Sequence, residues 1–311
     1  MKTLTTHLEA YMTLRRKLGF KLRVSAGLLS GFVLFALKEG ASFITAKLAL
    51  DWATQPAHCQ PAQWANRLGM VRRFALYVSG SDPRTEIPSQ SLLPQRFHRR
   101  PPYQYSDNEV CNLIGALRHL PVPSDLRSAS NATLVGLLVV TGMRVGEAIG
   151  LDRNDVDLAQ GLLTVRHGKF DKSRLVPIHH TTRKELRKYE RMRNRSCPHP
   201  NSSSFFLSER GTRLIDCTVR HWFIVASRQI GLRGSTDSHG PRIHDLRHRF
   251  ASKTILNWYR CCADVEAQLP KLTTYLGHGH VADTYWYISA TPELLQLATQ
   301  RLEQQKGEVS K

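Results

Sequence analysis

Apolar residues recur at helical spacing through most of the chain. Leu4, Leu8, Tyr11 and Met12 lie on one face of a first helix. A second helix is predicted over 26–38, ending at Glu39-Gly40, and a third after Thr45, a good cap, with Leu48, Leu50 and Trp52. A fourth, over 62–77, places Trp64, Leu68, Val71 and Ala75 on one side, continued by Val78, and Arg67, Arg72 and Arg73 on the other. Periodicity then stops. Residues 79–103 contain five prolines and read as a linker. It resumes at Ser106-Asp107-Asn108-Glu109, a capping-box sequence followed by Val110, Leu113, Ile114 and Leu117. Helices are predicted over 129–141 and 144–150. The period then changes: 162–166 and 174–178 are short β-like runs, joined by a polar hairpin with Lys169 near its tip. Residues 181–195 form a basic helix, and further helices are predicted over 216–230, 245–258, 265–276, 281–289 and 292–304. The last opens well, with Thr291 as cap, Pro292 and Glu293.

This pattern predicts a mainly α protein with a small antiparallel β-sheet, an α+β fold. The expected organisation is a helical N-terminal domain over 1–80, a linker over 81–104, a larger domain over 105–290, and a C-terminal helix or tail over 291–311.

Composition narrows the partner. The chain has 311 residues and a formal net charge of +19, with an ordinary hydrophobic fraction of 41%. It should therefore fold, and should meet a polyanion, either nucleic acid or an anionic membrane surface. Residues 1–95 contain 12 basic against 5 acidic residues, so both halves are basic. No apolar run is long enough to span a bilayer. Thr5, Thr6, His7 and Glu9 interrupt any signal-peptide core, which points to the cytoplasm. The six cysteines form no CxxC pair and read as reduced thiols. Among the 14 histidines, His179-His180 and His278-x-His280 lack a compact set of partner ligands, so no metal is expected.

Four segments carry the chemistry: Thr141-Gly142-Met143-Arg144-Val145-Gly146-Glu147; Gly168-Lys169 with Lys172 and Arg174; His244-Asp245-Leu246-Arg247-His248; and Leu276-Gly277-His278 followed, nine residues after the histidine, by Tyr287. Each is weak alone. In this order and spacing, over about 105–290, they resemble the tyrosine recombinases, the phage integrase family. The N-terminal helices are similar to that family's core-binding domain, without a diagnostic motif.

The resemblance implies a site-specific DNA recombinase or integrase that cuts and rejoins DNA through a 3′-phosphotyrosine, with no cofactor and no ATP. Its catalytic set maps onto Arg144, Lys169, His244, Arg247, His278 and Tyr287, with Glu147 supporting. The residue types suit the reaction. Two arginines can hold the non-bridging oxygens of a pentacoordinate phosphorus and remain charged. A tyrosine hydroxyl is a poor nucleophile until a cationic site polarises it. A hairpin lysine can protonate the leaving 5′-oxygen. His244 would be base or hydrogen-bond donor, and His278 would hold a phosphate oxygen. His244 and Arg247, three apart on a helix, share a face. Tyr285 and Tyr287 would point about 200° apart, so only one can serve, and the interval from His278 favours Tyr287. Lys172 is the rival of Lys169.

DNA contact is expected from Arg67, Arg72, Arg73, Lys172, Arg174, His248 and Arg249, and the basic helix 181–195 is either a solvated face or a phosphate contact. The family implies that the two domains clamp duplex DNA and that a tetramer works on two DNA sites, with accessory recombination or transposition proteins as further partners and no membrane. The C-terminal helix could pack in its own subunit or on a neighbour. The chain between Arg247 and His278 is longer than the family usually has, and Ile288-Ser289 replaces the frequent Thr-His. These departures suggest a branch tied to mobile elements, acting in integration, excision or transposition. Two other readings stay open: type IB topoisomerase-like relaxation, and a non-catalytic DNA-binding protein on an integrase scaffold.

Overall fold

The computed structural model describes residues 3–20, 22–94, 101–120, 124–166, 173–261, 263–287, 293–297 and 299–300. The chain divides into two units, Met1–Arg100 and Pro101–Lys311.

Four helices build the first unit. The α1 helix (Leu4–Lys17) starts where the Thr3 hydroxyl accepts the Thr6 N–H and ends on Arg15, Arg16 and Lys17, which suit the negative end of the helix dipole. The α2 helix (Arg23–Lys38) begins three residues before the apolar pattern does, after Leu22 turns the chain with a positive φ of 45°. The α3 helix (Ala46–Thr54) is capped by Thr45, and α4 (Pro61–Ser79) opens on a proline whose missing N–H costs nothing there. Their apolar faces meet around Phe32, Ile44, Val71 and Phe74, all inaccessible to solvent. Residues after α4 join this unit: the Glu86 N–H donates to the Ile44 carbonyl, its carboxylate accepts the Ala46 N–H, and Arg72 donates to the Pro88 carbonyl.

The second unit is organised on α6 (Asp125–Thr141), which packs against α5 (Asp107–Arg118), α7 (Val145–Gly150), α8 (His180–Ser196), α9 (Asp216–Gln229) and α10 (Asp245–Arg260). The full capping box at Ser106 and Glu109 starts α5. The α6 helix starts four residues upstream of its apolar pattern. Ser128, Ser130 and Asn131 lie on its buried side, which hides the periodicity. The Ser130 hydroxyl is satisfied there by Tyr189 (2.8 Å) and by the Leu207 carbonyl (2.7 Å).

A three-stranded antiparallel sheet has the order β1 (Val156–Asp157), β2 (Leu162–Val165), β3 (Arg174–Pro177). Its register pairs Leu163 with Val176 and Val165 with Arg174. The strand β1 is too short to leave a period-two signal. Helices α11 (Val265–Leu276) and α12 (Ala282–Tyr285) complete the named elements, and residues 293–297 are helical again. The α12 helix is shorter than the predicted 281–289. Leu294 is fully buried in the cluster that contains Tyr287, and Glu293 pairs with Arg260.

Leu134 on α6 is inaccessible and central to the larger core. We expect Leu134→Ala to lower stability by about 2–5 kcal/mol, since the site can collapse only in part. Urea unfolding of the full chain measures this, and a loss below about 1 kcal/mol would show that α6 is not the packing centre.

Candidate active site

The site is built around the last turn of α11. A helix ends with carbonyls that lack an intrahelical partner and carry the negative end of its dipole. Three successive carbonyls each receive a different arginine. Arg174 donates to Tyr275 O (2.8 Å), Arg247 to Leu276 O (2.8 Å) and Arg144 to Gly277 O (3.3 Å). The turn depends on Gly277, whose φ is +68°; a Cβ there would lie 2.7 Å from the Arg174 guanidinium. Gly142 ends α6 in the same way, with φ +61°, and its carbonyl takes a second bond from Arg247 (2.7 Å). A Cβ at 142 would sit 2.5 Å from Phe250.

Glu147 joins the group from the first turn of α7. Its carboxylate accepts Arg144 Nη1 (2.7 Å) and the Arg144 N–H (3.0 Å) on one side, and both Arg174 Nη atoms (3.1 and 2.8 Å) on the other. Burial alone would raise its pKa. The hydrogen bonds and charge of Arg174, with help from Arg144, outweigh burial and hold it at about 2. Glu147 is thus a fixed anion that spaces two cations. Arg247 is 2% exposed, and burial lowers its pKa from the usual guanidinium value, although a guanidinium keeps its charge in proteins. Arg144 is more open, with 27% of its side chain exposed.

Imidazoles and a phenol face these cations. His278 Nε2 lies 2.7 Å from Arg247 Nη2, and its Nδ1 lies 2.9 Å from Thr284 Oγ1. The Tyr287 hydroxyl is 3.4 Å from His278 Nε2, and the two rings are nearly parallel (18°) at 5.7 Å. Tyr287 is 3% exposed and Tyr285 is 53% exposed, so the two point to different surroundings. His244 precedes α10; burial first, and then the charge of Arg247, push its pKa down. His248, one turn on, touches the rings of His244, Trp286 and Tyr287 at 5.1, 4.8 and 5.1 Å, and burial followed by His244 lowers its pKa to about 4.

Arg144, Glu147, His244, Arg247, His278 and Tyr287 therefore converge. Lys169 and Lys172 lie outside the described residues. Several arginines expected to meet DNA make hydrogen bonds within the protein. Arg174 is the second clamp on Glu147. Arg249 donates to Tyr105 O (2.9 Å) and pairs with Asp107, which ties the start of α5 to α10. His248 is an aromatic spacer. Arg67 covers the Trp52 ring and donates to the Trp52 and Ala53 carbonyls. Arg72 is held by Pro88 O, and Arg73 stays exposed. On the basic helix α8, Arg183 and Arg187 bind the Leu158 and Ala159 carbonyls, and Arg193 is buried; Lys184, Arg191 and Arg195 are exposed. Sequence reasoning missed the structural use of Arg174 and the pair Thr273 and Thr284. An arginine at a strand end and two threonines on different helices, α11 and α12, carry no distinctive spacing.

Comparisons with known proteins bear on the family and the fold. The family model described as the phage integrase family matches residues 106–293. The chain is 46% identical over 307 residues to "Putative integrase/recombinase y4rB" of Sinorhizobium fredii (strain NBRC 101917 / NGR234), covering 97% of this chain and 98% of that one. It is 28% identical over 242 residues to the tyrosine recombinase XerD of Proteus mirabilis, covering 76% and 71%. The solved structure of the Tn1549 transposon integrase in complex with a circular intermediate DNA aligns with a TM-score of 0.67, covering 97% of this chain and 100% of that one at 13% identity, a likeness of fold. Among the described residues no helix is long and apolar enough to cross a membrane.

The depressed Glu147 pKa makes a signed prediction. A carboxylate with a folded-state value of about 2, against an ordinary 4.5, stabilises the fold above pH 4.5 and loses that contribution as pH falls towards 2. Glu147→Gln should therefore be less stable than the native chain by about 3 kcal/mol at pH 7, and the gap should close on acidification. Urea unfolding at pH 7, 4 and 2.5 measures it. A gap independent of pH would remove the carboxylate charge as its cause.

Proposed function

The chain belongs to the phage integrase family, and from that premise we propose that it cuts and rejoins DNA through a 3′-phosphotyrosine made by Tyr287. It is a tyrosine-type site-specific DNA recombinase. The observation that supports the residue assignment is the convergence of Arg144, Arg247, His244, His278 and Tyr287 on the end of α11. Among the described residues, the bonds to Glu147 and Gly277 engage two of the five guanidinium donors of Arg144, and those to Gly142, Leu276 and His278 engage three of the five of Arg247. The rest can bind the non-bridging oxygens of a phosphodiester as negative charge develops there. Tyr287 then attacks phosphorus, the P–O5′ bond breaks, and the 5′-oxygen takes a proton, for which Lys169 is the expected donor. The new phosphotyrosine keeps the energy of the phosphodiester, so the 5′-hydroxyl of another strand can reverse the reaction without ATP.

In this reading the helical N-terminal unit and the exposed basic residues, Arg73 among them, supply sequence-independent phosphate contacts, which makes binding strongly salt-dependent. Four cleavages call for a tetramer on two DNA sites. The similarity in fold to a transposon integrase, together with the departures after Arg247 and Tyr287, supports a role in moving a genetic element, with accessory recombination or transposition proteins as partners.

A test starts from a pool of random-sequence nicked duplexes. Covalent protein–DNA adducts are isolated under denaturing conditions and their DNA is sequenced. The native chain should form adducts, and Tyr287→Phe should form none on the recovered duplexes while binding them as well. Adducts that persist in Tyr287→Phe would move the nucleophile to another residue, and an absence of adducts with the native chain would overturn the reading. With two recovered duplexes, recombinant products support strand exchange, whereas relaxed plasmid without exchange would point to a topoisomerase.

A further inference from the structure

His278 is tied to two buried threonines by a chain of hydrogen bonds whose direction can be worked out. A guanidinium has donors only. Arg247 Nη2, 2.7 Å from His278 Nε2, must therefore donate, and Nε2 must be the bare nitrogen. The ring proton then sits on Nδ1, which donates to Thr284 Oγ1 at 2.9 Å. At the far end the Leu269 carbonyl can only accept, so the Thr273 hydroxyl donates to it at 2.8 Å. The Thr284 hydroxyl is left to donate to Thr273 Oγ1, also at 2.8 Å. Thr284 is fully buried and Thr273 is 7% exposed, so no solvent competes for these bonds. The chain runs one way, from His278 to the backbone of α11; reversal at His278 would set a ring N–H against the Arg247 donor, and reversal at Thr273 would set its oxygen against the Leu269 carbonyl, two acceptors.

We propose that Thr284 and Thr273 are positioning residues that hold His278 as the Nδ1–H imidazole, so that its Nε2 receives the proton of Tyr287. This deepens, and rests on, the assignment of Tyr287 as the nucleophile. The Tyr287 hydroxyl lies 3.4 Å from Nε2 and also meets the Arg247 guanidinium, a donor that cannot take its proton, whereas among the described residues no hydrogen bond links it to His244. In the step, the Tyr287 O–H bond breaks and its proton goes to Nε2. The phenolic oxygen bonds to phosphorus, the P–O5′ bond breaks, and the 5′-oxygen is protonated by the general acid expected at Lys169. For Nε2 to take the proton, the Arg247 N–H must first leave the one lone pair of that nitrogen and turn to a non-bridging phosphate oxygen as the phosphodiester enters. The new Nε2–H can then donate to phosphate as well. His278 accordingly acts first as acceptor and only afterwards as the phosphate donor that the sequence leads one to expect.

The test combines a spectroscopic and a kinetic readout on the full chain. Long-range ¹H–¹⁵N correlation spectra of protein labelled at histidine, with the His278 signal assigned by its loss in His278→Gln, should show a bare Nε2 and a protonated Nδ1 at neutral pH. The opposite tautomer would overturn the proposal, and this measurement does not depend on whether DNA is cleaved. On a recovered duplex, Thr284→Val should slow adduct formation at least about tenfold, with DNA affinity and melting temperature kept, and Thr284→Ser should restore it to within about twofold. Thr273→Val should slow the reaction in the same direction, and replaces Thr284→Val should that variant fail to fold. Native-rate cleavage by the valine variants, or a serine variant as slow as the valine one, would reject the role. Failure of the native chain to form any adduct would instead strike the parent assignment.

Discussion

Three guanidinium groups held by one helix end are the constraint on which the rest of the site depends. Arg144, Arg174 and Arg247 come from the residue before α7, from β3 and from α10, and Tyr275, Leu276 and Gly277 offer them three successive carbonyls. A carbonyl orients a guanidinium without cancelling its charge. Three carboxylates in the same places would have fixed the arginines equally well and left nothing for a phosphate. The single carboxylate among them, Glu147, spaces Arg144 from Arg174 and leaves the cluster cationic. Removing the charge of Glu147 would set two like charges against each other in a buried setting, which is why its pKa falls so far despite burial.

The glycines of the motifs acquire their meaning from this arrangement. Gly142 and Gly277 each end a helix with a positive φ, and each turns its carbonyl towards an arginine. Neither position has room for a side chain. Their place beside the reactive residues in the sequence is thus a requirement of backbone geometry: the chain must turn sharply to present a carbonyl where the helix ends.

Much of the fold was legible from the sequence, as were the residues that share a site, because both have spacing signatures. The capping box at Ser106, the amphipathic stripes of α4 and α9, and the ordered motifs around Arg144, Arg247, His278 and Tyr287 depend on neighbours in the chain. What was hidden depends on partners far away. The start of α6 was masked by buried polar residues: Ser130 is satisfied by Tyr189 on α8 and by the Leu207 carbonyl in the segment before α9, and Asn131 donates to the Arg127 carbonyl one turn back. The Phe205–Phe206–Leu207 core segment has no period at all. Arg249, Arg67 and Arg183 look like surface charge in sequence, since an arginine that binds a distant carbonyl carries no local mark of it. The overall excess of positive charge therefore overstates what a DNA backbone could meet, because a part of it is bound internally.

The protonation of the histidines follows from the same cluster. Burial and the charge of Arg247 lower the pKa of His244, and burial followed by His244 lowers that of His248 to about 4. A phosphodiester entering among the arginines brings a negative charge to the place from which the positive field arises. That charge opposes the arginine field that lowers the pKa of His244. His248, one turn further along, is packed between Trp286, Tyr287 and His244, so the helix start that brings one imidazole to the arginines also sets another ring against the tyrosine.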